Sequence, residues 1–414
     1  MPPSTTPPFW PNFRTGNKST EIFYLLWGSQ GCLEANHPYW IRLQGRAFPL
    51  YLLKGSLSPH RLLASQFAPL LNGLELTVQG WIGKHLSYAG RLELLRSVHF
   101  GKVHFLLNIS PMPEVVLTKI ISICRDFLWT GDTRRNGSAL VAWKFLCLPK
   151  VEGDLGLFDL KARNRSFLTK QLWNLHLKTD PTWIHWVHHF YLSNDDIWTA
   201  QPNRHSSPLW KSILSVWDLL SLRCGSPRES IQLLSSWSTS VGPFLSHAYQ
   251  FFRPVGSTIS WHRVVWEQWS LPKYSFILWL AALGKLRTQD RLRFIPIDPA
   301  CVFCRQEGES HRHLFFLCGW PCQLWTIIKD WLRITRDMNS LSSALRWLHP
   351  KKRNMAARMR RLSLGIVVYL IWEERNRRIF DGNSRDVNTV CFLQCLEENC
   401  IHVLQRRLRR ISCN

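Results

Sequence analysis

"CVFCRQEGESHRHLFFLC", residues 301–318, is the stretch on which the fold of this chain turns. Cys301, Cys304, His313 and Cys318 form C-x2-C-x8-H-x4-C, four soft ligands inside 18 residues. A C-x2-C pair at a turn lets two thiolates reach one Zn²⁺ at about 2.3 Å, and a second pair closes a tetrahedron. The connecting "RQEGESHR" is polar and contains Gly308, as a loop should. "HRHLFFLC" then has the pattern of a helix onset, with Leu314 to Leu317 anchoring the ligand helix in a core. The register is open: His311 can stand in for His313, and Cys322 for Cys318. Four protein ligands leave no position for water or substrate, so the expected Zn²⁺ is structural.

Composition narrows the partners. The chain has 414 residues, with 52 Lys and Arg against 28 Asp and Glu, a formal charge of +24. Such a surplus favours a polyanion, because basic groups near phosphates release condensed counterions. RNA or DNA is the expected partner. The 22 tryptophans sit mostly where helical spacing buries them, so core packing is their expected role, ahead of base stacking. The longest apolar run, Leu362 to Trp372, is 11 residues, where a spanning helix needs about 20. The opening "MPPSTTPPFWPNFRTGNKST" has no apolar core of a secretory signal. An intracellular, nuclear or cytoplasmic site is expected, with no membrane partner. Clustered cysteines in a reducing compartment bind metal more often than they form disulfides.

The fold class expected is mainly α: a helical region, a small zinc-stabilised helical module, and a basic helical tail. Residues 1–45 read as a disordered or unrelated arm. From 46 to 192 helical spacing dominates, as in Val116, Ile120, Ile123 and Phe127 of "PEVVLTKIISICRDFLW". Ser87 is a candidate N-cap, and Gly153 and Gly156 mark turns. Residues 193–258 read as a linker or subdomain, 259–335 as the cysteine module, and 336–414 as the basic tail.

No catalytic centre is legible. Nucleotidyl transfer needs carboxylates holding two metal ions, and the only adjacent aspartates, Asp195 and Asp196, sit in a loop-like "LSNDDIW". Phosphate-loop and hydrolase motifs are absent. His185, His188 and His189 share helical spacing without a completing carboxylate or cysteine.

Longer stretches carry a resemblance. "GWIGKHLSYAGRLELLRSV", "RDFLWTGD" and "VAWKFLCLPKVEGDLGLFDL" resemble the region after the polymerase in plant LINE-type non-LTR retrotransposon reverse transcriptases. "WHRVVWEQWSLPKYSFILWLAALGKLRTQDRL" and the cysteine stretch resemble the zinc-binding domain of those proteins, and "YLIWEERNRRIFDG" its usual continuation. The resemblance implies that 46–192 lies downstream of a polymerase palm and that 259–335 is the reverse transcriptase zinc-binding domain. It places Cys301, Cys304, His313 and Cys318 at the zinc-ligand positions. The aromatic-Ala-Asp-Asp polymerase turn is missing, so the chain reads as a C-terminal remnant without that enzyme activity.

The expected function is therefore a non-catalytic, retrotransposon-derived zinc-binding protein that binds RNA or DNA through a basic surface. A reverse transcriptase core is a further partner. Lys351, Lys352, Arg353, Arg358, Arg360, Arg361, Arg375, Arg377 and Arg378 are the candidate phosphate contacts, with Arg406, Arg407, Arg409 and Arg410 beyond them. The alternative is an inert structural or interaction remnant.

Overall fold

The computed structural model describes residues 40–43, 46–49 and 67–393, apart from 80–85, 110–111, 133–137, 180–183, 185–186, 193–195, 205, 293–297 and 350–353. Helices dominate, as the spacing of apolar residues requires. Among them are α1 (Glu114–Thr130), α2 (Leu160–Leu177), α3 (Pro208–Cys224), α4 (Pro227–Thr239), α5 (Phe244–Phe252), α6 (Pro272–Ala282), α7 (Gly319–Trp331) and α8 (Met355–Phe380). A short antiparallel pair, β1 (Trp40–Leu43) with β2 (Arg46–Pro49), sets Trp40 opposite Pro49. β1 lies in the stretch expected to be irregular, because four residues are too few for a period to stand out.

The chain forms two compact units, each discontinuous in sequence. Among the described residues the first takes those up to Gly73, then Gly101–Lys119 and Leu160–Arg253. The second takes Leu74–Phe100, Ile120–Asp159 and those from Pro254 onward.

In the first unit, α2 packs against α3 and α5, and α3 against α4. Local sequence starts these helices cleanly. Ser207 accepts from Trp210 N at 3.2 Å with Pro208 in the first turn, and Ser226 accepts from Glu229 N at 3.2 Å. Proline there costs nothing, because its missing N–H would have been unpaired anyway. Leu168, Leu172, Leu175, Trp210, Leu214, Trp217, Leu234 and Phe252 share one buried core. Residues 193–258, expected as a linker or subdomain, are thus largely three core helices of a larger unit. Their apolar positions were masked by the serine-rich turns between them.

The second unit is built around α6, "PKYSFILWLAA", in which Tyr274 through Ala281 are all buried. A helix apolar on every side must be covered on every side. α8 and the Tyr88–Leu94 helix pack against it, the latter capped by Ser87, whose Oγ accepts from Gly90 N at 3.3 Å. Trp279 is fully buried and donates its indole N–H to Gly153 O at 2.9 Å. Gly153 holds φ at 96°, and a Cβ there would meet Ile259 Cδ1 at 2.2 Å, so neither conformation nor space admits a side chain. The sequence's turn glycine is therefore also a close-approach glycine. Among the described residues no helix is long and apolar enough to cross a membrane.

Next to that glycine, the Asp154 carboxyl is buried, its Oδ1 without a hydrogen-bond donor. Burial raises its pKa from 3.8 to about 7. A carboxyl raised in the folded state is neutral at no cost below its unfolded pKa. Its penalty on folding grows as pH rises from the unfolded value of 3.8 to the folded value of about 7, and is fully present above it. Asp154→Asn is expected to melt above wild type at pH 8 and to converge with it near pH 4. Parallel melting curves across that range would contradict the buried-carboxyl assignment.

Candidate metal centre

The cysteine stretch folds as a tight knuckle followed by one helical turn. Ala300 bridges Gly308, Cys301 N donates to Glu307 O at 2.7 Å, and Arg305 N to Cys301 O at 2.7 Å. Arg305 takes φ of 54°, the left-handed conformation that lets the chain reverse directly after the C-x2-C pair. Ser310 Oγ then accepts from His313 N at 3.2 Å, starting the turn His313–Leu317. Leu314, Phe315 and Phe316 are buried and fix that turn to the core. Trp325 of α7 donates to Phe315 O at 2.8 Å, tying the following helix to the same turn.

These local choices bring Cys301, Cys304, His313 and Cys318 together, one ligand atom from each lying within 4.8 Å of all the others. Cys301 Sγ and Cys318 Sγ are 3.8 Å apart, and Cys304 Sγ lies 3.4 Å from His313 Nε2. A regular tetrahedron with bonds of about 2.3 Å to sulfur has sulfurs about 3.8 Å apart, the separation found between Cys301 and Cys318. The two stand-ins are engaged elsewhere. His311 Nε2 is 2.9 Å from Leu286 O, and the exposed Cys322 thiol donates to Phe316 O at 3.2 Å.

The electrostatics suit a cation. A hydrogen shared with Cys318 holds the Cys301 thiol down at about 5, against the burial that raises it, while Cys318 is pushed up by the same contact and by burial. Burial raises the Cys304 thiol, but the backbone N–H groups of Gln306 and Glu307 outweigh it and the net shift is downward. Burial lowers the His313 imidazole, yet the Cys304 and Cys301 sulfurs draw it above its usual value. Glu307, invisible as a participant in the ligand spacing, puts a carboxylate oxygen 2.9 Å from His313 Nδ1. A carboxylate that accepts from that nitrogen orients a metal-binding imidazole; here the two are close but Nδ1 makes no hydrogen bond.

Glu309 is the other participant that spacing missed. It is 1% exposed, and its carboxylate accepts from Arg375 Nη2 at 2.7 Å and from Gln289 N at 3.0 Å. Arg375 was expected on a phosphate-binding surface; it is buried, and the reason is helical phase. Positions 361, 364, 368, 371 and 375 recur at three- and four-residue steps, so both arginines lie on the apolar face of α8. Arg361 is likewise buried, with Nε 2.6 Å from Glu267 Oε2. Arg378 is largely covered, binding Glu374 at 2.9 Å while its guanidinium lies over the stacked rings of Phe303 and Trp320. Arg377 and Arg360 are half-exposed, the latter over Trp347, and Arg358 lies over Trp269. Lys351, Lys352, Arg353, Arg406, Arg407, Arg409 and Arg410 fall outside the described residues. The histidine trio forms no metal cluster among the described residues: His188 Nε2 lies 3.4 Å from Leu175 O, His189 packs on Phe190, and His185 is outside them. Asp195 is outside the described residues too, and Asp196 is exposed in a turn, its carbonyl accepting from Thr199 N at 3.1 Å.

A comparison with known protein families falls on the same segment. Residues 244–325 match the family described as zinc-binding in reverse transcriptase. An Arabidopsis thaliana protein named as a candidate ribonuclease H protein is 29% identical over 156 residues, 37% of this chain. The match spans only 25% of that relative's length.

Glu309→Ala would strand the Arg375 guanidinium in the core, at a cost of about 3–5 kcal/mol. Its unfolding midpoint in denaturant is expected to fall accordingly, and Glu309→Gln with Arg375→Met to recover part of the loss. Equal stability of Glu309→Ala and wild type would show the pair to be idle. The chain is thus retrotransposon-related over a segment that encloses all four members of the Cys3His cluster.

Proposed function

We propose that this chain is a zinc-stabilised, non-catalytic nucleic-acid-binding protein derived from a LINE-type non-LTR retrotransposon of a plant. The observation that carries it is the closed Cys3His set, four donors of tetrahedral size inside the segment that matches the reverse transcriptase zinc-binding family. Cys301, Cys304, His313 and Cys318 would hold the ion. Bound there, Zn²⁺ supplies a cross-link between knuckle and helical turn, with every coordination position taken by protein. Glu307 would orient the imidazole from outside. Unpaired thiols suit a reducing intracellular compartment.

The positive charge of +24 supports RNA or DNA as the partner, with a reverse transcriptase core as the natural second one. The name of the Arabidopsis relative points instead to RNA hydrolysis, which needs carboxylates around two metal ions about 3.5–4 Å apart. Among the described residues, the Cys3His cluster is the one group of three or more His, Cys, Asp or Glu side chains gathered closely enough to hold a metal. That favours binding over catalysis.

Elemental analysis of the purified chain is expected to find one zinc per molecule, lost in Cys301→Ser with Cys304→Ser. Affinity for single-stranded RNA should fall with salt by about 0.7 log units per decade for each phosphate neutralised. Zinc-free, folded wild type would overturn the metal assignment. Absence of RNA and DNA binding at low salt would leave an interaction remnant as the better description.

A further inference from the structure

The second unit carries an open cleft of about 440 Å³ whose walls include Lys150, Arg263, Arg358, Arg361, Glu267 and Trp266. Four cations thus face one carboxylate. That carboxylate is already taken up, because Glu267 pairs with Arg361 at 2.6 Å and both side chains are less than a tenth exposed. The remaining three cations are held in place by aromatic and backbone geometry. Lys150 Nζ lies 4.9 Å from the centre of the Trp266 ring, and the Arg358 guanidinium 4.6 Å from that of Trp269. Arg263 is exposed at the rim on the short helix His262–Val265. A cation on a ring face is positioned without being neutralised, so its N–H groups stay available to an anion.

A second cavity of about 370 Å³ shares Lys150, Trp266 and Glu267 with the first and adds Arg96 and Glu93. Glu93 pairs with Arg96 at 2.8 Å, so the added charges cancel. Burial lowers the Lys150 ammonium, and Arg96 lowers it further against the partial opposition of Glu93. A lysine depressed by burial and by one neighbouring cation gains from an anion placed beside it. His262 adds a polar group to the wall; its Nδ1 is 2.5 Å from Ile259 O, leaving Nε2 as its remaining hydrogen-bonding atom.

We propose that this cleft seats the phosphodiester backbone of single-stranded nucleic acid, with Lys150, Arg263 and Arg358 as its phosphate contacts. The inference rests on the nucleic-acid-binding function proposed above and names the place where that binding occurs. Basic grooves with aromatic side chains are the recurring form of single-strand binding sites. Two of the three residues, Lys150 and Arg263, lie outside the basic runs of the C-terminal third, so the cleft is not the surface that charge clusters in the sequence suggest.

The test uses the full chain with zinc content checked, and a fluorescein-labelled oligouridylate followed by anisotropy across a salt series. Lys150→Ala, Arg263→Ala and Arg358→Ala are each expected to weaken binding roughly three- to tenfold and to reduce the salt slope by about 0.7. Arg228→Ala and Arg336→Ala, at exposed positions that do not line the cleft, remove the same charge and should leave the slope unchanged. If wild type binds and the cleft variants behave like these two, the cleft is overturned while nucleic-acid binding stands. If wild type does not bind at low salt, both fall together. Wild-type protein cross-linked to 4-thiouridine RNA gives a measurement independent of variant folding. Adducts on peptides containing Trp266 or Trp269 support the cleft, and adducts confined to other peptides overturn it.

Discussion

A single buried carboxylate organises the part of the molecule that matters most. Glu309 lies one residue beyond the glycine that closes the cysteine knuckle, and its backbone N–H donates to Pro299 O at 2.9 Å while its carbonyl accepts from Asp290 N at 3.2 Å. Its carboxylate binds Arg375, 66 residues away on α8, through both Nε and Nη2. Arg375 in turn donates to Arg287 O at 3.3 Å. An ion pair taken out of water is tolerated only when its remaining hydrogen-bonding positions are also filled. Here those positions are filled by the loop before the knuckle, so three segments must come together or the charge is stranded. The ligand stretch therefore has a fixed seat before any metal is considered.

The charge surplus divides accordingly. Arg361, Arg375 and Arg378 belong to the interior economy of α8, where Glu267, Glu309 and Glu374 meet them. Glu374 is itself fully buried and accepts from Arg378 and from the side chain and backbone N–H of Arg385. Burial would raise its pKa, and these donors outweigh it and bring it below the usual value. Arginine is suited to such positions because its planar fork fills two acceptor sites at once. Among the cations left for an external anion are two propped on tryptophan rings, Lys150 and Arg358. The abundance of tryptophan thus serves two ends: among the described residues seven are core residues, and others hold cations without neutralising them.

Much of this was legible in the sequence and the rest had identifiable physical causes for being hidden. Helical class, the Ser87 cap, the turn at Gly153 and the four-residue cluster at 301–318 all depend on neighbours close in the chain, and local spacing carries that information. Unit boundaries depend on which distant helices share a core, and no local pattern shows that residues 120–159 pack with those beyond 254. The arginines of α8 were misplaced for a different reason. Their runs look solvated when counted as charge, whereas phase against Leu364, Val368 and Ile371 puts two of them inward. Glu309 did not stand out in the sequence, since a lone acid in a polar loop carries no sign of a partner 66 residues on.

α8 is where these threads meet. At 26 residues it is roughly 39 Å long, and Arg358 and Arg378 sit about 30 Å apart along it. Near its start, Arg361 holds Glu267 and Arg358 rides on Trp269, beside the basic cleft. Near its end, Arg375 holds Glu309 and Arg378 covers the Phe303–Trp320 stack of the cysteine module. Between them its apolar face lies on α6, which is covered on every side and has no freedom to shift. A helix pinned at both ends and in the middle is a spacer of fixed length. The Cys3His cluster at one end and the cations at the other then become properties of one frame, so a change at the cluster bears on where the cations stand.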